Sequence, residues 1–163
     1  MEECSIGPAS LDDEDEIFAL YRSMIGRPYV TWNDEYPARA LVRHDLEAFD
    51  VFVMKDGDGC ILSAIVNEDT DEFVDMAPWY PDVKRWAQFA RLAVAADAQG
   101  QGIARRMLVY AMHKARLKGC EAVRFLVSAD NIPAQRSYRK LEFEVCGEAD
   151  AWGDHWLCYE KRL

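Results

Sequence analysis

Two groups of residues in this chain have types and spacings that could do chemistry. The first is Gln99-Gly100-Gln101-Gly102-Ile103-Ala104, which closes an expected strand, Arg91 to Val94, and opens a strongly helical segment. Glycines lack the Cβ that would hold an anion away from backbone N–H groups, and the first turn of a helix adds unpaired donors and a positive dipole end. A bound pyrophosphate would then need no lysine. The dinucleotide fingerprint wants a third glycine where this chain has Arg105, and the nucleotide triphosphate loop wants Gly-Lys-Ser/Thr, which is missing. An ordinary strand-to-helix turn is the other use two such glycines have.

The second group is Asn131-Ile132-Pro133-Ala134-Gln135-Arg136-Ser137-Tyr138, running on to Phe143. Asp130 or Asn131 can cap a short helix whose early turn tolerates Pro133. Tyr138 follows Asn131 by about two helical turns, so both side chains project along one face. A capping Asn and a packed Tyr would have the same spacing.

The elements that must hold these groups are legible as periodicities. Ile103, Met107, Ala111 and Ala115 recur every fourth residue, and Leu108 and Met112 widen the apolar stripe of a helix. Lys114, Arg116 and Lys118 suit its negative end, and Gly119 can take the left-handed capping conformation. Glu121 to Val127 reads as the next strand. Upstream, Ile17 to Met24 is helical, Asp50 to Lys55 alternates as a strand, Asp56-Gly57-Asp58-Gly59 is a hairpin turn, and Cys60 to Asn67 returns. Asp69 to Arg85 is less regular. With Trp79, Tyr80, Pro81 and the following Trp86 it could be a lid, a substrate wall or a dimer contact, ordinary packing being the default. Glu144 to Gly147 and His155 to Arg162 suggest two last strands around a loop carrying Trp152. The order is a strand, two helices, three strands, a helix, a strand, a helix and two strands, an α/β (α+β) arrangement.

Composition agrees with one compact domain: 163 residues, 50% hydrophobic, can bury a core without staples. No apolar run is long enough to span a membrane, and the start, Met1-Glu2-Glu3, is acidic where a signal peptide is basic. A cytoplasmic protein is expected. Five widely spaced cysteines read as reduced, Cys120 and Cys146 as small buried hydrophobes. His44, His113 and His155 lack ligand spacing, so no metal is expected. Residues 1–80 hold 5 Lys/Arg and 19 Asp/Glu, net −14, whereas residues 81–163 hold 14 and 10, net +4. Nucleic acid, which demands a basic face, is disfavoured as a partner.

Together the two groups resemble the GNAT acyltransferase superfamily in its bacterial-type members. Its coenzyme motif, Gln/Arg-x-x-Gly-x-Gly/Ala, stands here as Gln99-x-x-Gly102-x-Ala104, and its Asn-x-x-Ala-x-x-x-Tyr pattern as Asn131, Ala134 and Tyr138, followed by Phe143. Glu142 departs from the pattern, where the family usually has Gly. The resemblance implies a single GNAT-like domain over residues 1–163, with a mixed central sheet of about six to seven strands flanked by about four helices. It implies an acetyl-coenzyme A dependent N-acetyltransferase acting on a primary amine of a small molecule or peptide. Main-chain groups of Leu92, Ala93 and Val94 would pair with pantetheine amides, Gln99, Gly100, Gln101, Gly102, Ile103 and Ala104 would hold the pyrophosphate, and Asn131 would contact the pantetheine arm. Tyr138, a phenol of ordinary pKa about 10, would protonate a departing thiolate of about 8.5.

Trp32-Asn33-Asp34-Glu35-Tyr36-Pro37 resembles a substrate-side element of the family, which makes Trp32 and Tyr36 acceptor contacts. The strand from Arg91 to Val94 carries no acid where many members place a base, so Glu72, Asp75 or Glu35, acting through water, are the candidates. The positive half would hold the anionic coenzyme, and the negative half would steer a cationic amine. A catalytically silent coenzyme-binding module of the same fold, or an interaction partner using Trp32, Trp79 and Trp86, is the other reading. A homodimer remains open.

Overall fold

The computed structural model describes residues 3–163; Met1 and Glu2, part of the acidic start, lie outside the described residues. The elements are β1 (Ser5–Pro8), α1 (Glu14–Met24), α2 (Arg39–Ala48), β2 (Asp50–Lys55), β3 (Ile61–Glu68), β4 (Trp86–Val94), α3 (Ile103–Leu117), β5 (Ala122–Ser128), α4 (Ile132–Lys140), β6 (Glu144–Ala151) and β7 (Asp154–Arg162), with short 3-10 turns at Leu11–Asp13 and Ala96–Ala98. This is the order the periodicities predict. The strands form one mixed sheet, β1-β2-β3-β4-β5-β7-β6, in which β4 and β5 run parallel while β1 with β2, β2 with β3, β5 with β7 and β6 with β7 run antiparallel.

Two strands are longer than the pattern suggests. β4 starts at Trp86, before the expected Arg91, because Ala87 and Phe89 are core residues; the buried polar Gln88 between them hides the alternation. β6 continues to Ala151, so the last two strands meet in the tight turn Trp152-Gly153, with φ of 52° and 81°. Positive φ at both central residues is the turn whose twist suits a hairpin.

The described chain packs as two compact units: residues up to Glu68 with Arg91–Ala111, and Asp69–Ala90 with Met112–Leu163. In the first, alternation along β2 divides the core. Val51 and Val53 join Ile17, Leu20, Tyr21 and Met24 of α1 and Val42 of α2, whereas Phe52, on the other face, meets Tyr110 of α3 edge-on at 5.3 Å. Each fully buried aliphatic side chain here contributes about 1.5–3 kcal/mol.

In the second unit, β5 and β7 do the same. Phe125 and its cross-strand partner Tyr159 pack against Tyr138 of α4, with ring centroids 4.8 and 6.0 Å away. Their neighbours Arg124 and Glu160, also directly paired, form a buried salt bridge at 2.9 Å. The irregular stretch before β4 covers that pair. The Arg124 guanidinium lies between the Trp79 and Trp86 rings at 5.0 and 4.1 Å, and Glu160 accepts the Tyr80 backbone N–H at 2.7 Å. Trp79 and Trp86 are thus packing residues, the default that their sequence context gave.

Candidate functional site

The loop Gln99 to Ala104 is built by backbone sign. Gly100 and Gly102 have φ of +78° and +75°, a region where L side chains are strained, and a Cβ at either would meet nothing within 4 Å. Open space therefore borders both glycines. Gly102 accepts the first helical hydrogen bond, from Arg106 N–H at 3.1 Å, and among the described residues nothing accepts from the N–H groups of Gly100, Gln101 or Gly102. Three donors beside a helix start are the chemistry an anion needs. Arg105 and Arg106 strengthen this. They are exposed in the first turn of α3, where a cation opposes the dipole, and neither has an ion-pair partner among the described residues. A following basic pair adjoining a glycine loop is a signal the sequence carries openly.

β4 breaks just before this loop. Its ladder with β5 covers Trp86 to Phe89 against Ala122 to Phe125, and Arg91 then takes φ +50°. Beyond the break, Ser63 Oγ donates to the Ala93 carbonyl at 2.6 Å, Ala95 N–H donates to Leu62 at 2.8 Å, and Val94 O receives Arg27 at 3.3 Å and Gln99 Nε2 at 3.5 Å. Gln99 thus braces the loop's own entry rather than reaching outward.

Arg91 centres a buried charge cluster that sequence reasoning missed. Its guanidinium binds Asp45 through two 2.7 Å hydrogen bonds, meets Glu68 at 2.5 Å, and donates to the Tyr36 hydroxyl at 3.2 Å. Burial alone would lower its pKa, but the two carboxylates outweigh that and hold it charged. Asp45 follows Val42 by three positions on α2, which puts it on the buried face, and a charge on a core face is a legible sign of a partner. Tyr36 is tied into this cluster. Trp32 stacks edge-on against Tyr21 at 5.1 Å, and the buried Tyr21 hydroxyl has no partner among the described residues. Burial raises the Tyr21 pKa far above the ordinary phenol range. Glu35 is exposed in the turn capped by Asn33, whose Oδ1 accepts its N–H at 2.8 Å.

In the second unit, Asn131 caps α4 by accepting the Ala134 N–H at 3.2 Å, and Tyr138 is buried among Phe125, Phe143 and Tyr159. Burial pushes the Tyr138 phenol well above its ordinary value, with Tyr159 adding to the shift. Nothing among the described residues hydrogen-bonds its hydroxyl. The end of α4 carries the departure noted at Glu142. Phe143 N–H bonds to Tyr138 O at 3.1 Å and Glu142 N–H to Arg139 O at 3.0 Å, the paired bonds of a Schellman end, and Glu142 takes φ +67°. The turn that glycine usually makes is retained by Glu142 at the cost of strain. Glu72 and Asp75 are exposed, beside Trp152, and neither side chain has a partner among the described residues.

Among the described residues no disulfide is formed. Cys120 and Cys146 are half-buried, and Cys158 is the buried one. No helix among the described residues is long and apolar enough to cross a membrane.

Residues 17–143 match the model of the acetyltransferase (GNAT) family. A GCN5-related N-acetyltransferase 6, chloroplastic, of Arabidopsis thaliana is 43% identical over 61 residues, 37% of this chain and 21% of that protein. The chain thus matches about a fifth of that relative's length. An N-acetyltransferase from Staphylococcus aureus Mu50 superposes with a TM-score of 0.78 at 19% identity, covering 98% of each chain. YncA from Salmonella typhimurium, solved with its cofactor acetyl-CoA, superposes with a TM-score of 0.77 at 18% identity, covering 99% of this chain and 94% of that one. At these identities the superpositions establish the fold.

Proposed function

The chain belongs to the GNAT family of acetyltransferases, and from that premise we propose that it moves an acetyl group from acetyl-coenzyme A to the primary amine of a small molecule or peptide. The observation that carries this reading is the loop at the start of α3, with three unclaimed N–H donors, open space beside two positive-φ glycines, and two unpaired arginines. These features fit a pyrophosphate. Leu92 to Val94, past the break in β4, offer main chain to the pantetheine amides. Asn131 spends Oδ1 on its cap, which leaves its Nδ2 hydrogens for a pantetheine carbonyl.

Acetyl-coenzyme A supplies a thioester. A neutral amine would attack the thioester carbonyl carbon, forming the C–N bond as the C–S bond breaks; the leaving thiolate takes the Tyr138 phenolic proton, and the proton shed by the new amide nitrogen returns through water to the Tyr138 oxygen, which restores the phenol. The raised Tyr138 pKa keeps that proton in place but makes the group a weak donor, so its transfer must accompany C–S cleavage. The ammonium proton leaves beforehand through water to a carboxylate, for which Glu72, Asp75 and Glu35 are candidates. Trp32 and Tyr36 line the acceptor side.

The test is a calorimetric titration of coenzyme A into Gly102→Val. A β-branched residue is strained at φ +75° and would enter the open space, so affinity should fall more than tenfold, above about 1.4 kcal/mol. Unchanged affinity in the folded variant sinks the site.

A further inference from the structure

Glu72, Phe73, Asp75 and Met76, from the stretch after β3, and Asp150 and Trp152, from the β6–β7 hairpin, line a groove of about 620 Å³. That volume is in the range of ligand sites. Trp152 stands edge-on to Phe73 at 5.9 Å and to Trp156 at 6.0 Å, yet is 68% exposed. It also occupies the first central position of a turn that prefers Asn, Asp or Gly, at φ +52°. A large indole has been placed there against both solvent and backbone preference, and such outliers cluster at sites with a task. Around it, Asp150 is joined to His155 at 2.7 Å, but Glu72 and Asp75 carry charge that no described residue neutralises. Aromatic faces flanked by unpaired carboxylates complement a cation.

The groove also has a place in the fold. Trp156 is paired with Ser128, the last residue of β5, and Ser128 O accepts the Asn131 N–H at 3.0 Å. Its aromatic wall therefore stands at the end of β5 that carries Asn131. The lining residues Glu72, Asp75, Asp150 and Trp152 are all exposed, so a ligand lies along the groove, as the side chain of a peptide does.

We infer that this groove binds the positively charged side chain of a peptidyl acceptor beside its accepting amine; the word acceptor rests on the acetyl-transfer reading, the binding does not. The experiment follows the Trp152 indole N–H resonance of the full chain, assigned with Trp152→Phe, during titration with a Gly-Lys-Lys-Gly peptide and its norleucine counterpart. The lysine peptide should give a saturable shift at least tenfold tighter than the norleucine peptide. Glu72→Gln with Asp75→Asn, both exposed positions, should weaken it at least tenfold while circular dichroism stays unchanged. Equal binding of the two peptides, no shift at all, or full affinity in the double variant overturns the groove. Coenzyme A titrated into the same sample keeps the two readings apart: if it fails to bind while the lysine peptide binds, acetyl transfer falls and the groove stands.

Discussion

At the scale of single residues, Tyr138 is where packing and chemistry compete. Its ring fills a slot among three aromatics, so Tyr138→Phe removes the proton and keeps the packing. Turnover should drop on the order of 100-fold in single-turnover acetyl transfer, with coenzyme affinity unchanged. A parent-like rate would make Tyr138 a core residue only. Because its pKa is raised, the phenol should not titrate below about pH 10, and no alkaline loss of rate in that range should disappear in the Phe variant. Glu142 and Gly119 offer a paired test of backbone strain. Both sit at the left-handed position of a Schellman end, at φ +67° and +88°, one after α4 and one after α3. Glu142→Gly should raise stability to urea by about 0.5 kcal/mol, the strain relief being partly offset by unfolded-chain entropy, whereas Gly119→Glu should lower it by about 1–2 kcal/mol. The same sign for both exchanges would remove strain as the explanation.

At the scale of elements, the helix entering α1 is held by Asp13, which accepts the Ser10 N–H at 2.9 Å and pairs with Lys55 at 2.9 Å. Burial works against its ionisation, but the Lys55 and Ser10 hydrogen bonds prevail and its pKa is lowered. A lowered folded pKa stabilises above the unfolded value of about 3.9 and loses that contribution as pH falls through the folded value. Asp13→Asn should therefore cost about 1 kcal/mol at pH 7 and flatten the acid limb of the stability curve below about pH 4, as followed by urea unfolding. An acid limb of parent steepness would assign it to other carboxylates. Element order was legible because the helices bury one face each, as Ile103, Met107 and Ala111 illustrate, and because β2 is a short apolar run, Val51 to Met54, that stops at the turn glycines. The start of β4 was not, because Gln88, Arg91 and Arg124 put polar groups on core faces, and their partners Asp45, Glu68 and Glu160 lie 23 to 46 residues away in sequence, beyond any local periodicity. The glycine loop before α3 was legible because glycine spacing records backbone sign directly. The carboxylates proposed for the acceptor side were less so, since exposed carboxylates look alike until a groove collects them.

At the scale of the whole molecule, net charge is −10, and the division into a −14 and a +4 half of the sequence predicts long-range attraction of a cationic acceptor. Its kcat/KM should fall as ionic strength rises from 0.01 to 0.1 M, where the Debye length shrinks from about 30 to about 10 Å, while a neutral acceptor should respond little. A best acceptor that is anionic, or salt dependence equal for both, would reduce the asymmetry to a solubility feature.

Among the described residues, the stretch between β3 and β4 is hydrogen-bonded and ion-paired to other elements in its second half, Tyr80 to Glu160, Asp82 to Arg162, and the N–H groups of Lys84 and Arg85 to Glu121, whereas its first half rests on packing, Phe73 lying edge-on to Trp152 at 5.9 Å. Ahead of Trp79 it is a series of local turns, Val74 onto Asp71 and Met76 onto Phe73. Residues could be inserted or lost there without altering a strand, and loop length adds little entropic cost. Duplicated copies of this gene could therefore diverge at the groove by changing that stretch alone, inheriting the glycine loop and the sheet unchanged.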